Sequence, residues 1–268
     1  MIDMDINDEI LDLWKSFSNK LRLTIKKNKK EEKVDLYWPN LFLKPKDNTE
    51  FLIVGLNPSH KFPNHINKTK DCLLNNKNLE KNKIIKKITD PSYLSVDGVV
   101  SALIYNKPNE YSKSDILKFE EIGQDEHNYF QKLWALGKKV TGKKNTTSHI
   151  DLYQFRHADS SIIKDYLIIQ NEEFFNLQAE LTFKRIELLN PELIFVANKY
   201  ASDKFIEKYK CKFDKNIGCH IININDKKIP LILSGMITQS RSIDNYSFER
   251  LTWHMRKIFS LFKSLNSV

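Results

Sequence analysis

Four short apolar runs constrain the fold of this chain more than any other feature of its sequence. They are FLIVG (51–55), HIDLY (149–153), LIFVA (193–197) and IPLILS (229–234), and each ends in polar or turn-forming residues. A strand with one solvated face alternates apolar and polar residues, and these runs do not. They are therefore typical of parallel strands that are covered on both faces. We therefore predict an α/β protein, a three-layer α/β/α sandwich around a short, four-stranded, mainly parallel sheet.

Helix-period segments lie between and after these strands. The segment 172–189 is predicted to carry one apolar stripe, formed by Phe174, Leu177, Leu181 and Leu188. The last segment has a second stripe, formed by Phe248, Leu251, Met255, Ile258 and Phe262. Asp244 or Ser247 is its expected N-cap. A short extra strand, HIIN (220–223), is expected at an edge of the sheet.

We divide the chain into a helical N-terminal extension with a basic linker, 1–48, and an α/β domain, 49–268. In the extension an amphipathic helix is predicted over 5–22, with one apolar face formed by Ile10, Trp14, Phe17 and Leu21. The linker TIKKNKKEEK is highly charged, and we expect it to be solvated and mobile. A long insertion separates the first two strands, with helical pieces around 77–88 and 113–140. It is expected to cover a site or bind a partner.

The formal net charge of +9 comes from an excess of lysine. A positive net charge favours a nucleic acid or an acidic membrane surface as partner, although a solvated lysine-rich surface gives the same net charge. No apolar run reaches the length of a membrane span, and the acidic start MIDMDINDEI is unlike a signal peptide. The cysteines Cys72, Cys211 and Cys219 show no CxxC spacing, which argues against a disulfide framework or a zinc site. We expect a cytoplasmic protein without a membrane partner.

Ligands of open parallel sheets bind beyond the carboxyl ends of the strands. The segments found there are GLNPSH (55–60), DLYQFRH (151–157), NKYAS (198–202), which looks like a helix start, and SGMITQSR (234–241). Together they would bring six polar side chains to one rim, namely Asn57, His60, Asp151, Arg156, Ser234 and Arg241.

GLNPSH after a hydrophobic strand resembles the first motif of the uracil-DNA glycosylase superfamily. EHNYFQKLWALGKKV then precedes SHIDLYQFRHAD, which occupies the place of the family's base-recognition strand. NPELIFVANKYAS resembles the third strand and the helix after it. LILSGMITQSRSIDNYSFERLTWHMR is similar to the final strand, DNA-facing loop and last helix of bacterial members with the SGMxTxxR form. The resemblance covers about residues 50–260.

The resemblance implies a monomeric DNA glycosylase. Such an enzyme hydrolyses the N-glycosidic bond of a base flipped out of duplex or single-stranded DNA, without a metal or an organic cofactor. It would act in repair or in defence against foreign DNA. Its first motif implies that Asn57 positions the attacking water, and that Gly55, Leu56, Pro58 and Ser59 line the substrate site. Asn57 also fits a turn residue or helix cap. His60 would approach a phosphate or the sugar, or would be a solvated loop histidine.

Asp151 stands where the uracil-removing branches usually present an Asn. An ionised Asp only accepts hydrogen bonds, whereas an Asn both donates and accepts. Cytosine carries an exocyclic amine donor, so an acceptor suits a cytosine derivative better than uracil. We therefore predict a modified cytosine as the excised base. The alternative is that Asp151 pairs with Arg156 or a lysine and never meets a base.

The fourth motif departs from the His-Pro-Ser form found in many members. Ser234 and Gly235 would let the backbone approach DNA, and Met236 or Ile237, followed by Thr238, would form a wedge. Arg241 and Arg156 are expected to bind phosphate. This sequence therefore lacks the family's histidine that stabilises charge on the leaving base. His254 is more plausible as a core-packing residue than as a replacement for that histidine.

Three aromatic residues are candidates to stack on the flipped base, namely Tyr93, Phe62 and Tyr153. His127 and Tyr129 are expected to be structural. Two alternatives compete with the enzyme. One is a DNA-binding or modified-base-binding protein with little or no catalysis on the same scaffold. The other is a different α/β enzyme, against which the missing Walker-type glycine loop and aspartate cluster argue.

Overall fold

The computed structural model describes residues 2–27, 30–34, 36–58, 113–126, 128–157, 159–235 and 244–266. The chain forms two compact units, each built from separate segments of sequence. The first unit consists of Met1–Leu43, Asn57–Glu126 and Gln154–Phe175. The second unit consists of Lys44–Leu56, His127–Tyr153 and Asn176–Val268.

The second unit holds the central sheet, whose six strands are β3 (Phe51–Gly55), β4 (Thr147–Asp151), β5 (Leu193–Val196), β6 (Phe213–Asp214), β7 (Cys219–Ile224) and β8 (Lys227–Leu233). The strand order is β4-β3-β5-β8-β7-β6. The four strands β4, β3, β5 and β8 are parallel, whereas β7 and β6 are antiparallel additions. The α/β class and the mainly parallel sheet are therefore confirmed, and within the described residues the sheet has six strands rather than the predicted four.

The extra strand predicted at 220–223 is present as β7, but it is not at the edge. A tight turn joins β7 to β8, and its two residues, Asn225 and Asp226, have positive φ values of 49° and 63°. Positive φ at both central residues is the geometry that lets two antiparallel strands pair through a two-residue loop. The edge is instead the two-residue strand β6, which pairs with β7.

The chain also contains the helices α3 (Asn128–Thr141), α4 (Glu172–Leu189), α5 (Lys199–Tyr209) and α6 (Asn245–Leu265). The predicted bounds of α4 are confirmed, and its predicted stripe is right in part. Phe174 is buried and Leu181 is half-buried, whereas Leu177 and Leu188 are each 41% exposed. The buried side chains of the helix also include Phe175, Ala179, Phe183 and Ile186.

Helix α6 follows the prediction closely. Asp244 caps its start by accepting a hydrogen bond from the Ser247 backbone nitrogen. Its buried residues, Met255, Ile258, Phe259 and Phe262, pack in one cluster with α3 and with one face of β3 and β5. The residues of β3 on the opposite face, Leu52 and Val54, are also fully buried. Burial of both faces accounts for the absence of alternation in these strands.

The first unit contains α1 (Ile2–Phe17), the strand pair β1 (Thr24–Lys27) and β2 (Lys30–Lys33), and α2 (Lys113–Glu126). The helix predicted over 5–22 ends at Phe17, so Leu21 lies beyond it. The segment predicted to be a solvated, mobile linker contributes the antiparallel pair β1–β2, whose second strand is exposed along its length. A salt bridge of 3.1 Å between Lys27 and Asp159 ties this pair to the segment that follows β4.

The N-terminal residues are integral to this unit. The Trp14 ring lies 4.9 Å from that of Phe174, and the Asn40 nitrogen donates to the Gln154 carbonyl at 2.9 Å. The helical segment predicted around 113–140 is confirmed as α2 and α3, whereas 77–88 lies outside the described residues. Among the residues that the structure describes, no helix combines the length and apolar character needed to cross a membrane.

Candidate functional site

The carboxyl ends of β3 and β4 lie side by side. Gly55 is the register partner of Asp151, the last residue of β4. Backbone pairing continues past the strands, because the Leu152 nitrogen donates to the Gly55 oxygen at 3.1 Å and the Tyr153 nitrogen donates to the Leu56 oxygen at 2.9 Å. The structure therefore brings together two of the predicted site residues, Gly55 and Asp151.

Gly55 is required here because the Asp151 side chain occupies the space beside it. A Cβ atom at position 55 would lie 2.1 Å from Asp151 Oδ1 and 3.3 Å from His149 Nε2. Any other residue would have to displace that carboxyl group. The glycine of the first motif thus ends β3 and also leaves space for the Asp151 side chain of the neighbouring strand β4.

His149 and Tyr129 complete a buried cluster around Asp151. His149 and Asp151 are two residues apart in β4 and so point to the same face, with 3.9 Å between His149 Nε2 and Asp151 Oδ1. The Tyr129 hydroxyl lies 3.4 Å from His149 Nε2, and its ring packs edge-on against the His149 ring. We call Tyr129, His149 and Asp151 the carboxyl cluster. Tyr129 contacts His149 within this cluster, and the contribution of His149 is not expected from the sequence motifs.

Burial shifts the protonation equilibria of the cluster in opposite directions. It raises the pKa of Asp151 to about 7 and lowers the pKa of His149 to about 4. The pKa of Tyr129 is also raised, by burial and by the nearby Asp151 charge. At neutral pH His149 is therefore uncharged, while Asp151 is present as both acid and carboxylate. The prediction from the sequence considered only the ionised form of Asp151, whereas its acid form can also donate a hydrogen bond.

Asn57, in the first unit, has its side-chain amide held in one orientation. Its Nδ2 donates to the carbonyl oxygens of His157 at 2.8 Å and of Pro58 at 3.2 Å. Two carbonyl acceptors on one side of the amide assign the nitrogen to that side and the oxygen to the other. Asn57 is half-buried, and among the described residues its Oδ1 has no hydrogen-bond partner. It is therefore the atom able to accept a hydrogen bond from a water or a ligand.

Arg156 does not lie where a phosphate contact requires it. The side chain is only 2% exposed, its Nη2 pairs with the Glu120 carboxylate, and its Nε donates to the Trp38 carbonyl at 3.1 Å. Burial lowers the pKa of Arg156 to about 9. The predicted DNA contact of Arg156 is therefore wrong in this conformation, since a buried and paired guanidinium is not available to a phosphate.

Tyr153 is not placed as a surface for stacking a base. It is 1% exposed and its ring lies 6.4 Å from that of Tyr200, to which its side chain is hydrogen-bonded. Burial raises the pKa of its hydroxyl. Tyr153 thus packs inside the second unit, and the prediction that it stacks on the flipped base is wrong in this conformation.

The fourth motif begins where β8 ends. The Ser234 nitrogen donates to the Val196 oxygen at 3.0 Å, which continues the pairing with β5. Ser234 is half-buried and Gly235 is exposed. The helix start predicted at 198–202 is confirmed as the beginning of α5, which Asn198 caps with its Oδ1 accepting from the Ala201 nitrogen. Several predicted residues lie outside the described ones, namely Ser59, His60, Phe62, Tyr93, His127, Met236, Ile237, Thr238 and Arg241.

His254 is half-buried rather than part of the core, and its Nε2 donates to the Gly218 carbonyl at 2.9 Å. Among the described residues, no group of three or more His, Cys, Asp or Glu side chains is arranged to hold a metal ion. Comparison of the chain with protein-family models and with curated proteins gives no match.

Proposed function

We propose that the protein is a DNA glycosylase, and that it hydrolyses the N-glycosidic bond of a non-standard base without a metal or an organic cofactor. The observation that carries the proposal is the fixed amide of Asn57, two residues beyond a buried parallel strand. With Nδ2 committed to two carbonyl oxygens, Oδ1 remains to accept a hydrogen bond from the attacking water. Asn57 then aids hydrolysis by holding the water in position rather than by removing its proton.

Asp151 would recognise the base. Its carboxylate accepts from an exocyclic amine, such as that of a cytosine derivative. Its acid form additionally offers an O–H to a carbonyl oxygen, such as that of uracil. With a pKa of about 7, deprotonation of Asp151 as the pH rises would increase the preference for the amine-bearing base. We propose that the substrate is a modified cytosine, and that uracil becomes acceptable only as the pH falls.

Base release from oligonucleotides tests the reaction. Single-stranded and duplex oligonucleotides would each carry one test base, either uracil or a modified cytosine, and abasic sites would be revealed by strand cleavage in hot alkali. We expect release of a cytosine derivative, and a loss of about 100-fold in the single-turnover rate in Asn57→Ala, because the water is no longer positioned. DNA binding without release of any base would overturn the glycosylase proposal and favour a base-binding protein.

The pH dependence tests the role of Asp151 separately. The ratio of cytosine-derivative release to uracil release should rise through pH 7 in the wild type. In Asp151→Asn this ratio should be independent of pH, because the amide does not titrate. If the variant keeps the wild-type pH profile, Asp151 does not contact the base.

A further inference from the structure

Helix α6 presents a stripe of alternating aromatic and cationic side chains. Tyr246, Arg250, Trp253 and Lys257 are spaced by four, three and four residues, so they lie along one side of the helix. Tyr246 is 79% exposed and Trp253 is 60% exposed. Single exposed apolar side chains are common, but a row of them interleaved with cations on one helix face is a candidate interaction surface. We call these four residues the α6 stripe.

The cations of the stripe are available to an anionic ligand. The Lys257 Nζ lies 5.6 Å from the centre of the Trp253 ring, and Arg250 Nη2 donates to the neutral Ser247 hydroxyl at 3.1 Å. In the part of the chain that the structure describes, neither Arg250 nor Lys257 forms an ion pair. Arg256 beside them is exposed as well. Between Tyr246 and Lys257 the helix carries one carboxylate, that of Glu249, and Asp244 caps the helix two residues before Tyr246.

An open cavity of about 500 Å³ adjoins the stripe, lined by Glu249, Arg250, Trp253 and His254. One wall is fixed by the hydrogen bond from His254 to the Gly218 carbonyl. Gly218 has a φ of 83°, and a Cβ there would lie 2.9 Å from His254 Cε1. The glycine therefore permits the turn and the close approach of the imidazole ring, so that this wall of the cavity is formed before any ligand binds.

We propose that the α6 stripe binds single-stranded nucleic acid. Bases would stack on Tyr246 and Trp253, and Arg250 and Lys257 would contact the phosphates between them. Aromatic faces combined with cations are how proteins hold single strands without reading their sequence. An acidic peptide would satisfy the cations but would leave both exposed rings without flat partners. The inference goes beyond the proposed glycosylase function, because it requires no base excision.

Binding of a fluorescently labelled thymidine oligonucleotide to the full chain, followed by anisotropy, tests the stacking. Trp253→Ala should weaken binding by about 5- to 150-fold, the loss expected for one stacked base, whereas Trp253→Phe should retain most of the affinity. Leu265→Ala is the matched control, since Leu265 lies on the same helix and is also 60% exposed. It should bind like the wild type.

The salt dependence tests the phosphate contacts. Arg250→Gln and Lys257→Gln should each reduce the slope of log affinity against log salt by about 0.7, the value for one contact to a single strand. Lys228→Gln removes an equal charge at the exposed start of β8, and should leave the slope unchanged. Circular dichroism would establish that every variant is folded.

Two outcomes would overturn the proposal. In one, folded Trp253→Ala binds the oligonucleotide as tightly as Trp253→Phe. In the other, an acidic peptide binds more tightly than the oligonucleotide and with the same dependence on Trp253. Asn57→Ala separates this proposal from the glycosylase reaction, because it should bind the thymidine oligonucleotide like the wild type whether or not it releases a base.

Discussion

At the scale of single residues, Gly55 and Asp151 behave as one structural pair. Gly55→Ala should destabilise the protein by about 1–3 kcal/mol, because the new Cβ overlaps the Asp151 carboxyl. Chemical denaturation would measure this loss. Gly235→Ala is the control, since a Cβ there meets nothing within 4 Å, and its effect should stay within about 0.5 kcal/mol.

The contact between Gly55 and Asp151 predicts that the effects of substituting both residues on the free energy of unfolding are not additive. In Gly55→Ala/Asp151→Ala the carboxyl that clashes with the new methyl group is gone. The double variant should therefore be less destabilised than the sum of the two single variants, by at least about 0.5 kcal/mol. Additive effects would show that the two side chains adjust independently.

Asn57 is expected to resist replacement by Asp, although Asp is the stronger base. An aspartate at position 57 would direct a charged oxygen at the carbonyl oxygens of Pro58 and His157, which now accept from Nδ2. Asn57→Asp should therefore lower the melting temperature at pH 8 and bring no gain in base release. Thermal unfolding at pH 4, where the new carboxyl is largely protonated, should show a smaller loss. An equal loss at both pH values would contradict this explanation.

At the scale of the element, β4 carries two buried groups whose effects on stability oppose each other. Asp151 binds a proton in the folded state between about pH 4 and 7 that it does not bind when unfolded, so its contribution to stability falls as the pH rises. His149 binds a proton only when unfolded between about pH 4 and 6.5, so its contribution rises with pH. The two slopes cancel over the shared window in the wild type.

Substituting either residue of β4 alone should make the stability depend on pH. Asp151→Asn should make stability increase from pH 4 to 6.5, while His149→Gln should make it decrease from pH 4 to 7. Each slope is expected to reach about 1.4 kcal/mol per pH unit at most. Urea denaturation at several pH values would measure them, and a pH-independent stability in both variants would contradict the assigned protonation states.

The N-terminus of α6 depends on its cap. Asp244 accepts hydrogen bonds from both the backbone nitrogen and the hydroxyl of Ser247. Asp244→Ala should cost about 1 kcal/mol of unfolding free energy, whereas Asp244→Asn should recover most of it, because Asn is an equally good cap. Thermal unfolding would rank the three proteins, and equal stabilities of the Ala and Asn variants would show that the cap contributes nothing.

At the scale of the whole molecule, the strands of the sheet are easier to predict from the sequence than the contacts between distant segments. The runs at β3 and β5 identify buried strands because every residue faces a covered surface. The first unit escapes prediction because it joins three distant segments, with contacts such as Trp14 to Phe174 that leave no local pattern. The wrong phosphate contact assigned to Arg156 has the same origin, since its partner Glu120 is distant in sequence.

The close approach of Asp151 to Gly55 also bears on how the protein could evolve. Asp and Asn have nearly the same size and differ by one base in the genetic code, so an exchange at position 151 needs no accommodating change at position 55. A larger residue at 151 would have no space to enter. Asp151→Asn is thus a single mutational step that would change which hydrogen bonds the side chain at position 151 offers, without adding volume beside Gly55.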